Sequence, residues 1–88
     1  MTQPTVTLYT SGWCPYCERA RGLLKQKNLL FDEINVEDDD KFREEMIARS
    51  NRRTVPQIFI GDKHVGGCDD LYALDRSGEL DRLIQGAG

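Results

Sequence analysis

The sequence predicts an α/β fold: a mixed four-stranded sheet flanked by helices, in the order β-α-β-α-β-β-α-α. Three observations carry the prediction. Val6-Thr7-Leu8-Tyr9 is a β-branched and aromatic run that leads, through a short turn, into a helical pattern. A second β-like run and a second helical pattern repeat that order. Farther on, Gly61-Asp62 joins two apolar runs in the manner of a hairpin. With 88 residues the chain is expected to form one domain, residues 1–88, whose substrate sits in a shallow surface groove.

The first strand stops at Ser11-Gly12, and Pro15 suits the first turn of a helix, where its missing N–H costs nothing. Cys17, Ala20 and Leu24, with Leu23 alongside, form one apolar face of that helix, and Asn28 is its expected end. Phe31 to Val36 alternates as a second strand, with Phe31, Glu33 and Asn35 on one side and Ile34 and Val36 on the other. A helix from about Asp40 to Ser50 turns Phe42, Met46 and Ile47 inward. The run Asp38-Asp39-Asp40 is read as carboxylates favouring the positive end of that helix, in preference to a metal site. Gln57 to Ile60 and His64-Val65 form the hairpin, which Gly66-Gly67 closes. Asp69-Asp70 is expected to cap a third helix carrying Leu71 and Leu74. Ser77-Gly78 breaks it, and Leu80, Leu83 and Ile84 face inward from a last helix ending near Gly86. The first two strands should be parallel, joined by a right-handed crossover, and the later pair antiparallel.

Composition narrows the function. A hydrophobic fraction of 39% and a charged fraction of 31% describe a globular protein, and a net charge of −3 speaks against nucleic-acid binding. No apolar run approaches the ~18 residues that span a membrane, and Met1-Thr2-Gln3-Pro4 lacks the basic start of an export signal. A cytoplasmic location is expected. In that reducing compartment, three cysteines are read as catalytic, metal-binding or inert, not as a disulfide framework.

Cys14-Pro15-Tyr16-Cys17 follows a strand and opens a helix, which is the setting of a redox Cys-x-x-Cys. Unpaired backbone N–H groups and the helix dipole at the start of a helix favour an anion, so a Cys14 thiolate is stabilised there. Cys17, within the first turn, should be more buried and less acidic. Cys14 is therefore the candidate nucleophile and Cys17 the candidate resolving thiol. A zinc site would need four ligands, and only Cys68 and His64 remain, so no metal is expected. Tyr16 should be exposed as a wall beside the reactive thiol, and Trp13 should cover part of the core or rim the groove. His64 is read as a strand-edge surface residue, and Cys68 as a buried, redox-inactive thiol.

Three motifs in this order resemble the glutaredoxins. Cys14-Pro15-Tyr16-Cys17 is similar to their dithiol active site, Thr54-Val55-Pro56 to their cis-proline loop, and Gly66-Gly67-Cys68-Asp69-Asp70 to their glutathione-binding turn. The likeness covers nearly the whole chain and is strongest to the short bacterial dithiol class. It implies a thioredoxin fold and a monomer with no tightly bound cofactor. Glutathione would be co-substrate, and protein disulfides and protein–glutathione mixed disulfides the substrates. It further implies that Thr54, Val55 and a cis Pro56 face Cys14, with the Val55 backbone meeting the cysteinyl part of glutathione. Gly67, Cys68 and Asp69 would receive its γ-glutamyl end: helix-start amides take the carboxylate and Asp69 the ammonium. A [2Fe–2S] cluster shared by the Cys14 thiolates of two chains and two glutathiones is the competing reading, and the stiff Pro15 turn opposes it. One position departs from the family pattern. Ser11 stands where many members carry a Lys near the sulfur and the glycyl carboxylate of glutathione. Arg43, or the pair Arg52-Arg53, is expected to compensate.

Overall fold

Strand β1 (Val6–Thr10) is buried along its whole length, because both of its faces are covered. It pairs in parallel with β2 (Asp32–Asn35) and antiparallel with β3 (Gln57–Ile60). Strand β4 (Lys63–Gly66) pairs antiparallel with β3, which makes the sheet order β2-β1-β3-β4. The structure, a computed structural model, describes residues 4–85. Four helices complete it: α1 (Pro15–Gln26), α2 (Asp40–Ser50), α3 (Cys68–Arg76) and α4 (Glu79–Ile84). The predicted order, the parallel pair and the antiparallel hairpin are all present. The expected end of the last helix near Gly86 lies outside the described residues.

Alternation along the strands builds two cores. Val6 and Leu8 of β1, with Ile58 and Ile60 of β3, pack against Leu23 and Leu24 of α1, Leu71 of α3 and Leu80 of α4. Tyr9 and Phe59 point to the other face and meet Val36 and Met46, with Phe42 and Ile47 of α2 alongside. Helices thus cover both faces of the sheet.

The helix ends follow local chemistry. Asn28 adopts φ 59°, and the amides of Asn28 and Leu29 donate to Lys25 and Leu24 carbonyls at 2.9 and 3.0 Å. This paired closure after α1 is of the Schellman type. Asp39 caps α2 through its Oδ1, which accepts from the Lys41 amide at 2.9 Å, as the reading of the acidic run requires. Among the described residues no group of three or more His, Cys, Asp or Glu side chains is placed to hold a metal. One cap differs from expectation. Helix α3 starts at Cys68 with Gly67 as its cap, and Asp70 lies inside the first turn. The Asp70 carboxylate reaches back to accept from the Gly67 amide at 3.0 Å, so the helix begins two residues early.

Candidate active site

Sheet register brings together three segments that lie far apart in sequence. Tyr9 pairs with Gln57, so the chain leaving β1 and the chain entering β3 emerge at the same edge. Ile58 pairs with Gly66, which puts the start of α3 at that edge as well. Residues 11–14, 54–56 and 66–70 therefore meet there.

Cys14 is the N-cap of α1, in an extended conformation, and Pro15 takes the first helical position. The Cys17 backbone amide donates to Cys14 Sγ at 3.2 Å, the contact that holds a thiolate at a helix start. Cys14 is half-buried, and its Sγ lies 4.0 Å from the Val55 carbonyl oxygen. The Val55–Pro56 peptide is cis, as the family resemblance implies. Cys17 is 1% exposed, and burial, followed by its contact with Cys14, pushes its thiol up to about 12. The two sulfurs are thus unequal: one sits open at a helix start, the other is kept protonated behind it. Cys68 is also buried, and burial raises its thiol above the ordinary value.

A groove of about 190 Å³ opens beside Cys14. Tyr16, 56% exposed, forms one wall, and Thr54, Val55 and Pro56 form the floor. Gly67, Cys68 and Asp69 close the far end at the start of α3. Gly66 makes that turn with φ +122°, and a Cβ there would meet the Asp70 carboxylate at 2.2 Å, so only glycine fits. Tyr16, Thr54, Val55, Pro56, Gly67, Cys68 and Asp69, all expected to meet glutathione, thus line one groove.

Arg43 is exposed on α2 and does not line the groove. Arg52 does, and its Nη1 stands 3.4 Å from Asp70 Oδ2 across the opening. Arg53 is exposed and outside the lining. Trp13 covers no core: it is 87% exposed, because the 11–14 loop projects beyond the sheet edge. His64 is half-buried, not a surface residue. Its ring stacks on Phe59 with centroids 4.9 Å apart, and its Nε2 meets Gln57 Oε1 at 2.7 Å. Burial lowers its pKa.

Asp70, part of the expected glutathione-binding turn, also lines the groove, as does Gln57, which was not anticipated there. The Gln57 side chain is buried, and its Nε2 donates to the Thr54 carbonyl at 3.0 Å and to Thr54 Oγ1 at 3.3 Å. Its Oε1 then accepts, so His64 carries its proton on Nε2. A polar residue heading the run Gln57-Ile58-Phe59-Ile60 was the one signal available in the sequence.

The raised Cys17 thiol has a stability consequence. Between about pH 9 and pH 12 the unfolded chain releases this proton while the folded chain keeps it. Stability then falls as pH rises, by at most about 1.4 kcal/mol per pH unit. The stability gap between wild type and Cys17→Ala should shrink in urea unfolding as pH rises from about 8 to 10.5. A constant gap would contradict the burial argument.

A thioredoxin-type sheet with an open and a buried thiol at the start of α1 defines a thiol–disulfide oxidoreductase. Comparison with known proteins narrows this. The glutaredoxin family profile matches residues 6–65. Glutaredoxin 3 of Escherichia coli (strain K12) is 55% identical over 80 residues, covering 91% of this chain and 96% of that protein. The solution structure of glutaredoxin from Brucella melitensis superposes with a TM-score of 0.86 at 49% identity, covering 100% of this chain and 96% of that one. A crystal structure of a buckwheat glutaredoxin–glutathione complex superposes at 0.85 with 29% identity, over 96% of this chain and 78% of that one. The chain belongs to the glutaredoxin family. It is a glutathione-dependent oxidoreductase with a thioredoxin fold.

Proposed function

We propose that this enzyme reduces protein–glutathione mixed disulfides and protein disulfides, with Cys14 as nucleophile and Cys17 as resolving thiol. The observation that carries the proposal is the Cys17 amide donating to Cys14 Sγ at 3.2 Å, with that sulfur 4.0 Å from the carbonyl oxygen of Val55, a residue of the groove. In the first reaction the Cys14 thiolate attacks the glutathione sulfur of a mixed disulfide, and the protein thiolate leaves and takes a proton. A second glutathione thiolate then attacks the bound glutathione sulfur and restores Cys14. In the second reaction Cys14 attacks a protein disulfide, Cys17 displaces the client, and two glutathiones reduce the resulting Cys14–Cys17 bond. Glutathione is a co-substrate in this scheme, and no tightly bound cofactor takes part. Residues 1–88 act as one monomeric domain, in the cytoplasm, on protein clients.

The groove supports a specific pose. The Val55 backbone meets the cysteinyl part of glutathione, while Tyr16, Thr54 and Pro56 flank its sulfur. The amides of Cys68 and Asp69 at the α3 start receive the γ-glutamyl carboxylate, and the Asp69 side chain takes the ammonium. Gly67 leaves room for that approach. Arg52 supplies the cation that Ser11 lacks and takes the glycyl carboxylate in preference to Arg43, because only Arg52 borders the groove.

Steady-state assays coupled to glutathione reductase test this pose. Asp69→Asn and Arg52→Gln should each raise the KM for glutathione about tenfold, the loss of one charge-assisted hydrogen bond. A rise with Arg43→Gln and none with Arg52→Gln would move the glycyl carboxylate to α2.

A further inference from the structure

The segment that floors the groove has little backbone support of its own. Among the described residues, no backbone–backbone hydrogen bond outside the helices and strands reaches residues 52–56. Two buried side chains hold the segment. Ser50, at the end of α2, accepts from the Arg52 amide at 3.0 Å through its Oγ. Gln57, at the start of β3, is 1% exposed and folds back on Thr54, where its Nε2 donates to the carbonyl and to Oγ1.

The orientation of that amide is set from β4. Gln57 and Phe59 stand two residues apart on β3, and His64 of β4 meets both. Its ring stacks on Phe59, and its Nε2 lies 2.7 Å from Gln57 Oε1. With Oε1 engaged by His64, the amide hydrogens point to Thr54, and every polar atom of the Gln57 side chain is paired. Turned the other way, the amide would set Oε1 against the Thr54 carbonyl oxygen, two acceptors with no hydrogen between them. The reactions described above use neither His64 nor Gln57.

We propose that His64 and Gln57 are positioning residues for glutathione, a run of contacts from β4 that fixes Thr54 in the floor of the groove. The proposal rests on the pose described above, in which Thr54 flanks the glutathione sulfur. Phe59 holds the His64 ring, the ring holds the Gln57 amide, and the amide holds Thr54. Thr54 adjoins Val55, whose backbone receives the cysteinyl part. Loosening this run leaves Cys14 in its helix cap, because the Cys17 amide that supports its sulfur belongs to α1. The loss therefore falls on binding and not on the reactivity of the thiol.

The test compares the full chain with His64→Phe, Gln57→Met and the double variant. His64→Phe keeps a ring against Phe59 but removes the donor, which leaves the buried Gln57 Oε1 unpaired. It should lower the melting temperature and raise KM for a glutathionylated peptide about three- to tenfold, with kcat changed less than about twofold. Gln57→Met keeps the volume and removes both contacts to Thr54, so KM should rise by a similar factor. In the double variant the unpaired Oε1 is gone. Its melting temperature should exceed that of His64→Phe, whereas KM should stay as high as in Gln57→Met, because the two residues act in series. Alkylation of Cys14 by iodoacetamide should keep the wild-type rate throughout. If one single variant fails to fold, the other carries the comparison with wild type. KM that recovers together with the melting temperature in the double variant overturns the proposal, since stability alone would then be at work. An unchanged KM in the single variants overturns it, as does alkylation that slows in step with kcat/KM. Wild-type protein that cannot turn over the glutathionylated peptide overturns the assigned reaction itself, and this proposal with it.

Discussion

Cys14→Ser should abolish both reduction of protein disulfides and deglutathionylation, with rates falling at least about a thousandfold, to background. The hydroxyl keeps the shape of the N-cap, and its oxygen can still accept from the Cys17 amide, so the fold should survive. What is lost is the nucleophilic sulfur, for which the hydroxyl of serine is a far weaker substitute. Cys17→Ser should separate the two activities. Deglutathionylation should persist, because a second glutathione can attack the Cys14–glutathione bond without help. Reduction of protein disulfides should drop more than about tenfold, since the client then leaves only when glutathione reaches a crowded mixed disulfide. Stopped assays on a glutathionylated peptide and on a disulfide-bonded protein distinguish the cases. Activity retained by Cys14→Ser would remove it as nucleophile, and equal losses in Cys17→Ser would remove the division of labour.

Phe59→Ala should cost about 3–5 kcal/mol in urea unfolding, the largest stability loss expected from one side chain here. For a domain of this size that is a large share of the total stability, of order 5–15 kcal/mol for folded domains generally. Phe59 is 2% exposed, and its ring organises the α2 face of the sheet. Tyr9 meets it edge-on at 5.8 Å, His64 stacks on it at 4.9 Å, and the Arg49 guanidinium lies 4.1 Å over it. Removing it leaves a cavity under all three and frees His64 to water. His64 should then titrate closer to its ordinary value of 6.5. In the wild type its lowered pKa means the folded state favours the neutral ring, so that contribution to stability is present above pH 6.5 and lost as pH falls below it. Phe59→Leu keeps much of the volume without the ring and should cost less than half as much. A loss under about 1 kcal/mol for Phe59→Ala would show that the site collapses around the gap.

Much of the fold was legible because its signals are local. Pro15 at the start of α1, Asn28 after its end, the acidic start of α2 and the Gly61-Asp62 turn each act within a few residues, and each stands where the sequence placed it. The Cys14–Cys17 pair was legible for the same reason, its chemistry lying in one helix turn. Other features depend on what folds against them. Asp69-Asp70 reads as a cap in sequence, yet Asp70 reaches back to Gly67 and starts α3 earlier. Gln57 reads as one more strand residue, and only the approach of Thr54 and His64 makes it a buried anchor. His64 itself reads as surface until Phe59 lies against it. Arg43 and Arg52 are indistinguishable as bare charges on neighbouring segments, and the path of the chain into β3 decides which borders the groove.

By itself, then, the sequence determined the element order, the parallel first pair, the antiparallel hairpin, the reactive pair at a helix start and the family. Periodicity, caps and turn residues encode those within short reach along the chain. Tertiary structure alone decided which parts converge on Cys14, since the register that pairs Tyr9 with Gln57 and Ile58 with Gly66 brings distant segments to one sheet edge. It likewise decided that Glu33 meets both Arg21 and Thr10, because contacts between α1, β1 and β2 exist only once the helix has packed across the parallel strands.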